Sequence, residues 1–148
     1  MQTSATLLPV SEHTLRRRVQ FYEIDSAGIV HFSWFFRYME EAEHAMWREA
    51  GLSIAPPGAE IGFPRVAAAF DFHAPLRFED EFEVNIQVAA LAEKAIRYAC
   101  VLRRGDQKVA SGTMTIVCVR KTPDGSIKAV PIPPAIAGRF AVAAGAGA

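Results

Sequence analysis

One stretch of the chain carries the residue types for acyl-transfer chemistry at a usable spacing: Arg18-Val19-Gln20-Phe21-Tyr22-Glu23-Ile24-Asp25-Ser26-Ala27-Gly28-Ile29-Val30-His31-Phe32. An acidic residue, Asp25, ends an alternating segment, a glycine follows three positions later, and a helical pattern begins within eight. A carboxylate in this position stands near a helix N-terminus, where free N–H groups and the dipole favour developing negative charge. Thioester hydrolysis needs those two parts. A carboxylate attacks the carbonyl or activates water, and backbone donors hold the oxyanion as it forms. Gly28 permits a tight turn and close approach of a ligand to the backbone. The same residue types also serve plain structure. An Asp before a helix is a common turn or cap residue, and a histidine beside aromatics, as at His31, is commonly packed or hydrogen-bonded.

The elements that would position this stretch follow from periodicity. Residues 13–22 alternate, with Leu15, Arg17, Val19 and Phe21 on one side and Arg16, Arg18 and Gln20 between them, which predicts a strand with one covered face. The cluster Arg16-Arg17-Arg18 reads as a solvated face. From 33 to 50 the period changes: Phe35, Tyr38, Met39, Ala42, Ala45 and Met46 recur at three- and four-residue steps. This is an amphipathic helix, with Ser33 as N-cap and Gly51 as its stop. Trp34, Phe36 and Trp47 widen its apolar face, so the helix should be largely enclosed. Residues 52–64 contain three prolines and two glycines and read as a loop. Strands are expected at 65–73, 81–91, 95–104 and 108–121, with a hairpin-type signal at Asp124-Gly125. Consecutive strands without intervening helices predict an antiparallel sheet and an α+β class, the sheet curling around the single helix. A sheet of this kind leaves an edge strand, and pairing edges across a two-fold axis covers it, so a homo-oligomer is expected.

Composition bounds the rest. The 148 residues fit one domain, 51% of them are apolar and ten are Phe, enough for a core without staples. Residues 1–11 read as a loose arm, 12–137 as the domain, and 138–148 as a frayed Ala/Gly-rich tail. The 16 basic and 16 acidic residues balance, which gives no case for a nucleic-acid partner. The longest apolar runs are too short to span a bilayer. No signal-peptide pattern opens the chain, so the cytoplasm is the expected location. Cys100 and Cys118 match no metal or redox spacing and read as reduced core thiols.

The run F-Y-E-I-D-S-A-G-I-V-H-F-S-W-F-F-R-Y-M-E, with its D-x-A-G-I-V core, resembles the active-site segment of the 4-hydroxybenzoyl-CoA thioesterase family of hotdog proteins. The resemblance continues more weakly through G-F-P-R-V-A-A-A-F at 62–70 to V-P-I-P-P at 130–134. It implies a hotdog fold, in which a curved antiparallel β-sheet wraps around one long central α-helix, assembled as a homodimer or homotetramer. It also implies an acyl-CoA substrate, Asp25 as nucleophile or general base, and the backbone N–H of Phe32 as donor to the thioester carbonyl. Gly28 and His31 complete the catalytic candidates.

Departures from that family's aromatic branch bear on the acyl group. His31 stands where the branch has a tryptophan. Glu40 falls where it has an aspartate near the substrate's phenol, and Glu41 is the alternative pocket acid, about 100° away in helical phase. Lys94 occupies the position of a basic cluster that is otherwise missing, and with Arg97 it is a candidate for the CoA phosphates. The reaction expected is hydrolysis of a small or aromatic acyl-CoA, with no metal and no organic cofactor, CoA being part of the substrate. An acyl-carrier-protein thioesterase and a non-catalytic acyl-CoA-binding hotdog protein are the competing readings.

Overall fold

The structure is a computed structural model that describes residues 8–145. The expected α+β order is present: β1 (Glu12–Arg18), a 3-10 turn (Phe21–Glu23), α1 (Ser33–Glu49), β2 (Ile61–Gly62), β3 (Arg65–Phe72), β4 (Glu81–Leu91), β5 (Ala95–Arg104), β6 (Gln107–Val117), β7 (Val119–Lys121), β8 (Ile127–Ala129) and α2 (Pro134–Ala137). Five strands form one antiparallel sheet in the order β1-β4-β5-β6-β3, and β2, β7 and β8 form a second, small one. Among the described residues, α1 is the one long helix, and the large sheet curls around it in the hotdog arrangement.

Alternation explains the packing. Val84, Ile86 and Val88 of β4, with Ile96, Tyr98, Cys100 and Leu102 of β5, are buried at every second position. They meet Phe35, Tyr38, Met39, Ala42 and Met46 of α1 in one core. Both cysteines are free and lie in that core. Helix α1 ends as its sequence requires. Gly51 takes a left-handed φ of 81°, its N–H bonds the Arg48 carbonyl, and Leu52 N–H bonds the Trp47 carbonyl, which is a Schellman closure.

Four expectations are corrected. Ser33 is not the N-cap; it is the first helical residue, and its N–H is taken by Nδ1 of His31 at 3.2 Å. Arg17 is not on a solvated face; its side chain is 15% exposed because the buried carboxylate of Glu23 draws it inward. Phe21, expected on the covered side of a strand, lies in the 3-10 turn and is 70% exposed, since the strand ends at Arg18. The tail expected to fray from 138 is packed as far as Ala143. Phe140 is buried against Trp47, and Val10 pairs with it in a parallel bridge, so residues of the expected loose arm are tied down as well. The rest of that arm, 1–7, and the tail end, 146–148, lie outside the described residues.

The two sheet edges differ. β1 carries Glu12, Arg16 and Arg18 on its exposed side, charges that discourage edge pairing. β3 carries Val66, Ala67, Ala68 and Ala69, all exposed, and among the described residues it pairs only with β6.

Candidate active site

Between β1 and α1 the chain makes a short hairpin that presents Asp25. Ile24 and Val30 pair as an antiparallel bridge, Asp25 N–H bonds the Ile29 carbonyl at 2.8 Å, and Gly28 N–H bonds the Asp25 carbonyl at 3.0 Å. Gly28 closes the turn at a φ of 80°, where an L side chain would be strained even though nothing lies within 4 Å of a Cβ. Ile29 bridges to Arg77, and Val30 N–H bonds the Leu76 carbonyl, which docks the hairpin against the segment preceding β4.

Asp25 is half-buried, and its two oxygens differ. Oδ1 accepts the Ala27 N–H at 2.8 Å and, more weakly, the Ile29 N–H at 3.4 Å. Oδ2 has no hydrogen-bond partner among the described residues. One oxygen therefore fixes the carboxylate while the other is available to a ligand or water.

The helix start follows at once. Phe32 is the N-cap residue, 61% exposed, and its N–H makes no hydrogen bond among the described residues. No acidic side chain occupies the first turn, so the partial positive end of α1 is not neutralised locally. His31 turns its Nδ1 to Ser33, bonding Oγ at 2.8 Å and the N–H, and its ring lies 4.5 Å from that of Phe32. Accepting the Ser33 N–H requires the Nε2–H tautomer of His31, so this imidazole is engaged in shaping the helix start. Tyr22 stacks on Trp34 at 5.4 Å, and Phe21 meets Phe78 edge-on at 5.5 Å, giving the hairpin an aromatic rim.

Beneath the hairpin is a buried ionic cluster. Glu23, with no exposure, accepts at Oε1 from Gln20 N–H (2.7 Å), Arg17 Nη1 (2.8 Å) and Tyr38 hydroxyl (2.9 Å), while Arg17 Nη2 meets Oε2 at 2.6 Å. The carbonyl of Glu23 takes the His31 N–H at 2.9 Å, so this residue joins both arms of the hairpin. Burial works against the Arg17 charge, yet its bonds to Glu23 and Glu41 leave its pKa raised overall. Burial and the bond to Glu23 push the Tyr38 hydroxyl up.

A second cluster sits further along α1. Arg65 at the start of β3 bonds Glu40 Oε2 at 3.0 Å and also Glu43 Oε1. Glu43 has no exposure, and burial raises its pKa to about 7 despite the neighbouring Arg65 charge. The Tyr98 hydroxyl, pushed well up by burial, lies beside it and accepts Trp47 Nε1–H at 3.0 Å.

The remaining candidates divide between these places. Glu40 lines a cavity of about 390 Å³ between α1 and β3, whereas Glu41 is held by Arg17. Lys94 and Arg97 are exposed on the β4–β5 hairpin. The larger surface hollow of about 790 Å³ is walled by Arg16, Arg18 and the glutamates that pair with them, and contains none of residues 25–34. Sequence reasoning did not single out Glu23, Arg65 or Glu43. Glu43 did carry a signal: it sits four residues after Met39 and three before Met46, a charge on the buried phase of the helix.

Comparison with known proteins agrees with this fold. Residues 19–140 match the family described as the thioesterase-like superfamily. A 1,4-dihydroxy-2-naphthoyl-CoA hydrolase from Synechococcus elongatus is 25% identical over 113 residues, covering 74% of this chain and 83% of its own. The solved structure of a gentisyl-coenzyme A thioesterase superposes with a TM-score of 0.77 at 29% identity, covering 86% of this chain and 99% of that one. A hypothetical protein from Aquifex aeolicus superposes with a TM-score of 0.80 at 29% identity, covering 86% and 98%. These names point to dihydroxynaphthoyl and gentisyl thioesters, so the resemblance to the 4-hydroxybenzoyl branch holds at the level of the superfamily. With a hotdog fold and a match that runs from the end of β1 to Phe140, the chain belongs to the thioesterase-like superfamily.

Proposed function

We propose that this protein hydrolyses an aromatic or small acyl-CoA thioester to the free acid and CoA, with Asp25 as its catalytic carboxylate. The observation that carries the reading is the asymmetry of Asp25: one oxygen is anchored by the turn and the other is open, one hairpin away from the unpaired N–H of Phe32. As general base, Asp25 takes a proton from water while the water oxygen attacks the thioester carbon. As nucleophile, its free oxygen attacks that carbon to form a mixed anhydride, which water then cleaves. In either course the C–S bond breaks, the thiolate of CoA leaves and is protonated, and the Phe32 N–H at the start of α1 stabilises the oxyanion. Gly28 keeps the turn tight, and His31 orders the helix start. Every group needed comes from the chain, the substrate and water, so the reading requires no metal or organic cofactor. Relatives named for dihydroxynaphthoyl and gentisyl thioesters support an aromatic acyl group. Glu40, with its side chain 41% exposed beside Arg65, is the acid offered to a polar acyl end, and Lys94 and Arg97 are offered to the CoA phosphates.

The open β3 edge supports a homodimer formed by pairing with a second copy, which would also cover the cavity between α1 and β3.

The test is a thiol-release assay over acetyl, butyryl, benzoyl, hydroxybenzoyl and dihydroxynaphthoyl CoA esters with wild type and Asp25→Asn. Wild type should cleave at least one aromatic ester, and Asp25→Asn should lose on the order of 10²–10⁴-fold in kcat. Equal rates in the two proteins would remove Asp25 from the mechanism, and no cleavage of any ester would remove the hydrolase reading.

A further inference from the structure

Ser33, Phe36, Glu40 and His44 follow one another at three- and four-residue steps and so share one face of α1, with Arg37 three residues before Glu40 at its border. Two cavities lie end to end along this face. The first, about 390 Å³, begins at Ser33, next to Phe32, and runs to Glu40 between walls that include Phe36, Met39, Ala68 and Met114. The second, about 470 Å³, begins at His44 and is walled mainly by apolar residues of the loop and β2, among them Ile54, Pro56, Ile61 and Phe63. Among the described residues, Arg65 alone lines both.

Arg65 is held across the boundary from several directions. Nη2 bonds Glu40 and the fully buried Glu43, and Nη1 bonds the Phe63 carbonyl at 3.3 Å. A guanidinium fixed by two carboxylates and a carbonyl acts as a wall, because moving it would strand the buried charge of Glu43. The rise of an α-helix puts Ser33 about 10 Å from Glu40 and about 16 Å from His44. An acyl group whose carbonyl sits at the helix start therefore has about 10 Å of groove before it meets the Arg65 clamp.

We propose that Arg65, clamped by Glu40 and Glu43, is the specificity-determining stop that limits this enzyme to short or single-ring-system acyl groups, and that an apolar extension of the acyl site lies behind it. This inference rests on the thioesterase reading above. Without the clamp, the two cavities become one groove that accepts a long acyl chain.

The experiment measures kcat/KM over hexanoyl, decanoyl and tetradecanoyl CoA, with benzoyl CoA as the reference ester, for the full chain and two variants. Arg65→Ala with Glu43→Gln removes the wall without leaving a buried charge. Arg65→Met with Glu43→Gln removes the same charges but keeps the bulk. Wild type should turn over benzoyl and hexanoyl CoA and discriminate against tetradecanoyl CoA. The Ala variant should raise the tetradecanoyl-to-hexanoyl ratio by at least about tenfold, given the transfer free energy of the added methylenes, and the Met variant should keep the wild-type ratio. A ratio is read within one protein, so a general loss of stability does not imitate the result.

Wild type that cleaves tetradecanoyl CoA as well as hexanoyl CoA would overturn the stop while leaving the hydrolase intact, whether or not the variants fold. An unchanged ratio in the Ala variant, or an equal rise in the Met variant, would overturn it too. Wild type inactive on every ester would instead overturn the thioesterase reading on which the stop depends.

Discussion

Arg17 and Glu23 form a buried ion pair, Nη2 to Oε2 at 2.6 Å, that ties the inward face of β1 to the loop presenting Asp25. The Glu23 side chain has no exposure and that of Arg17 only 15%. Two charges taken this far out of water are tolerated only where other hydrogen bonds satisfy them. Here Glu23 also accepts from Tyr38 and from the Gln20 N–H, while Arg17 reaches Glu41 at 2.7 Å and covers the Tyr38 ring at 4.6 Å. The pair thus joins β1, the hairpin and α1 at one point under the candidate catalytic carboxylate.

Glu23→Gln should therefore weaken both stability and catalysis. Breaking one partner of a buried pair costs about 3–5 kcal/mol, read as a lowered urea midpoint. The loop would lose its anchor at the residue that bonds His31 N–H, so kcat should fall while KM changes little. Tyr38→Phe removes one neutral donor and should cost about 1 kcal/mol. Equal stability of Glu23→Gln and wild type would show that the pair does not hold the hairpin.

Glu43 predicts a pH dependence of stability. Its folded pKa, about 7, lies above the ordinary carboxylate value of 4.5 because of burial. The folded state therefore binds this proton more tightly than the unfolded chain, and the stability the proton confers is complete below about pH 4.5 and lost as pH rises to about 7. By linkage the loss is of the order of 3 kcal/mol. Thermal unfolding of wild type and Glu43→Gln from pH 5 to 8 checks this: the variant should gain on wild type as pH rises. Parallel curves would assign the stability profile to other groups.

The exposed β3 edge gives a third expectation. Val66 is 60% exposed, so Val66→Lys should leave the monomer fold intact while placing a charge where a second copy would pair. Light scattering should show a dimer or tetramer for wild type and a smaller species for the variant. An assembly unchanged by the lysine would move the interface away from β3.

Local signals were legible wherever a residue's partners lie within a few positions. The alternation of β4 and β5, the three- and four-residue steps of α1 and the glycine stop at 51 all reappear in the structure, because backbone geometry alone sets those periods. The Asp25–Gly28 turn belongs with them: its bonds run between residues two to four apart. Polar residues on buried faces are not legible in this way. Arg17 reads as solvated until Glu41, 24 residues away, is folded against it, and Arg65 gains its role from Glu43, 22 residues away.

The sequence by itself determined the strand–helix–strands order, the α+β class, and an acid-glycine-helix segment suited to thioester chemistry, since each follows from short-range spacing and residue type. Tertiary structure decided the rest. It brought the tail back so that Phe140 packs on Trp47 and Arg139 Nε reaches the Ala50 carbonyl, 89 residues distant. It also chose Glu40 over Glu41 for the cavity beside Arg65 and sent Glu41 to Arg17. Adjacent residues on a helix point about 100° apart, so only the positions of β1 and β3 around α1 determine which glutamate meets which arginine.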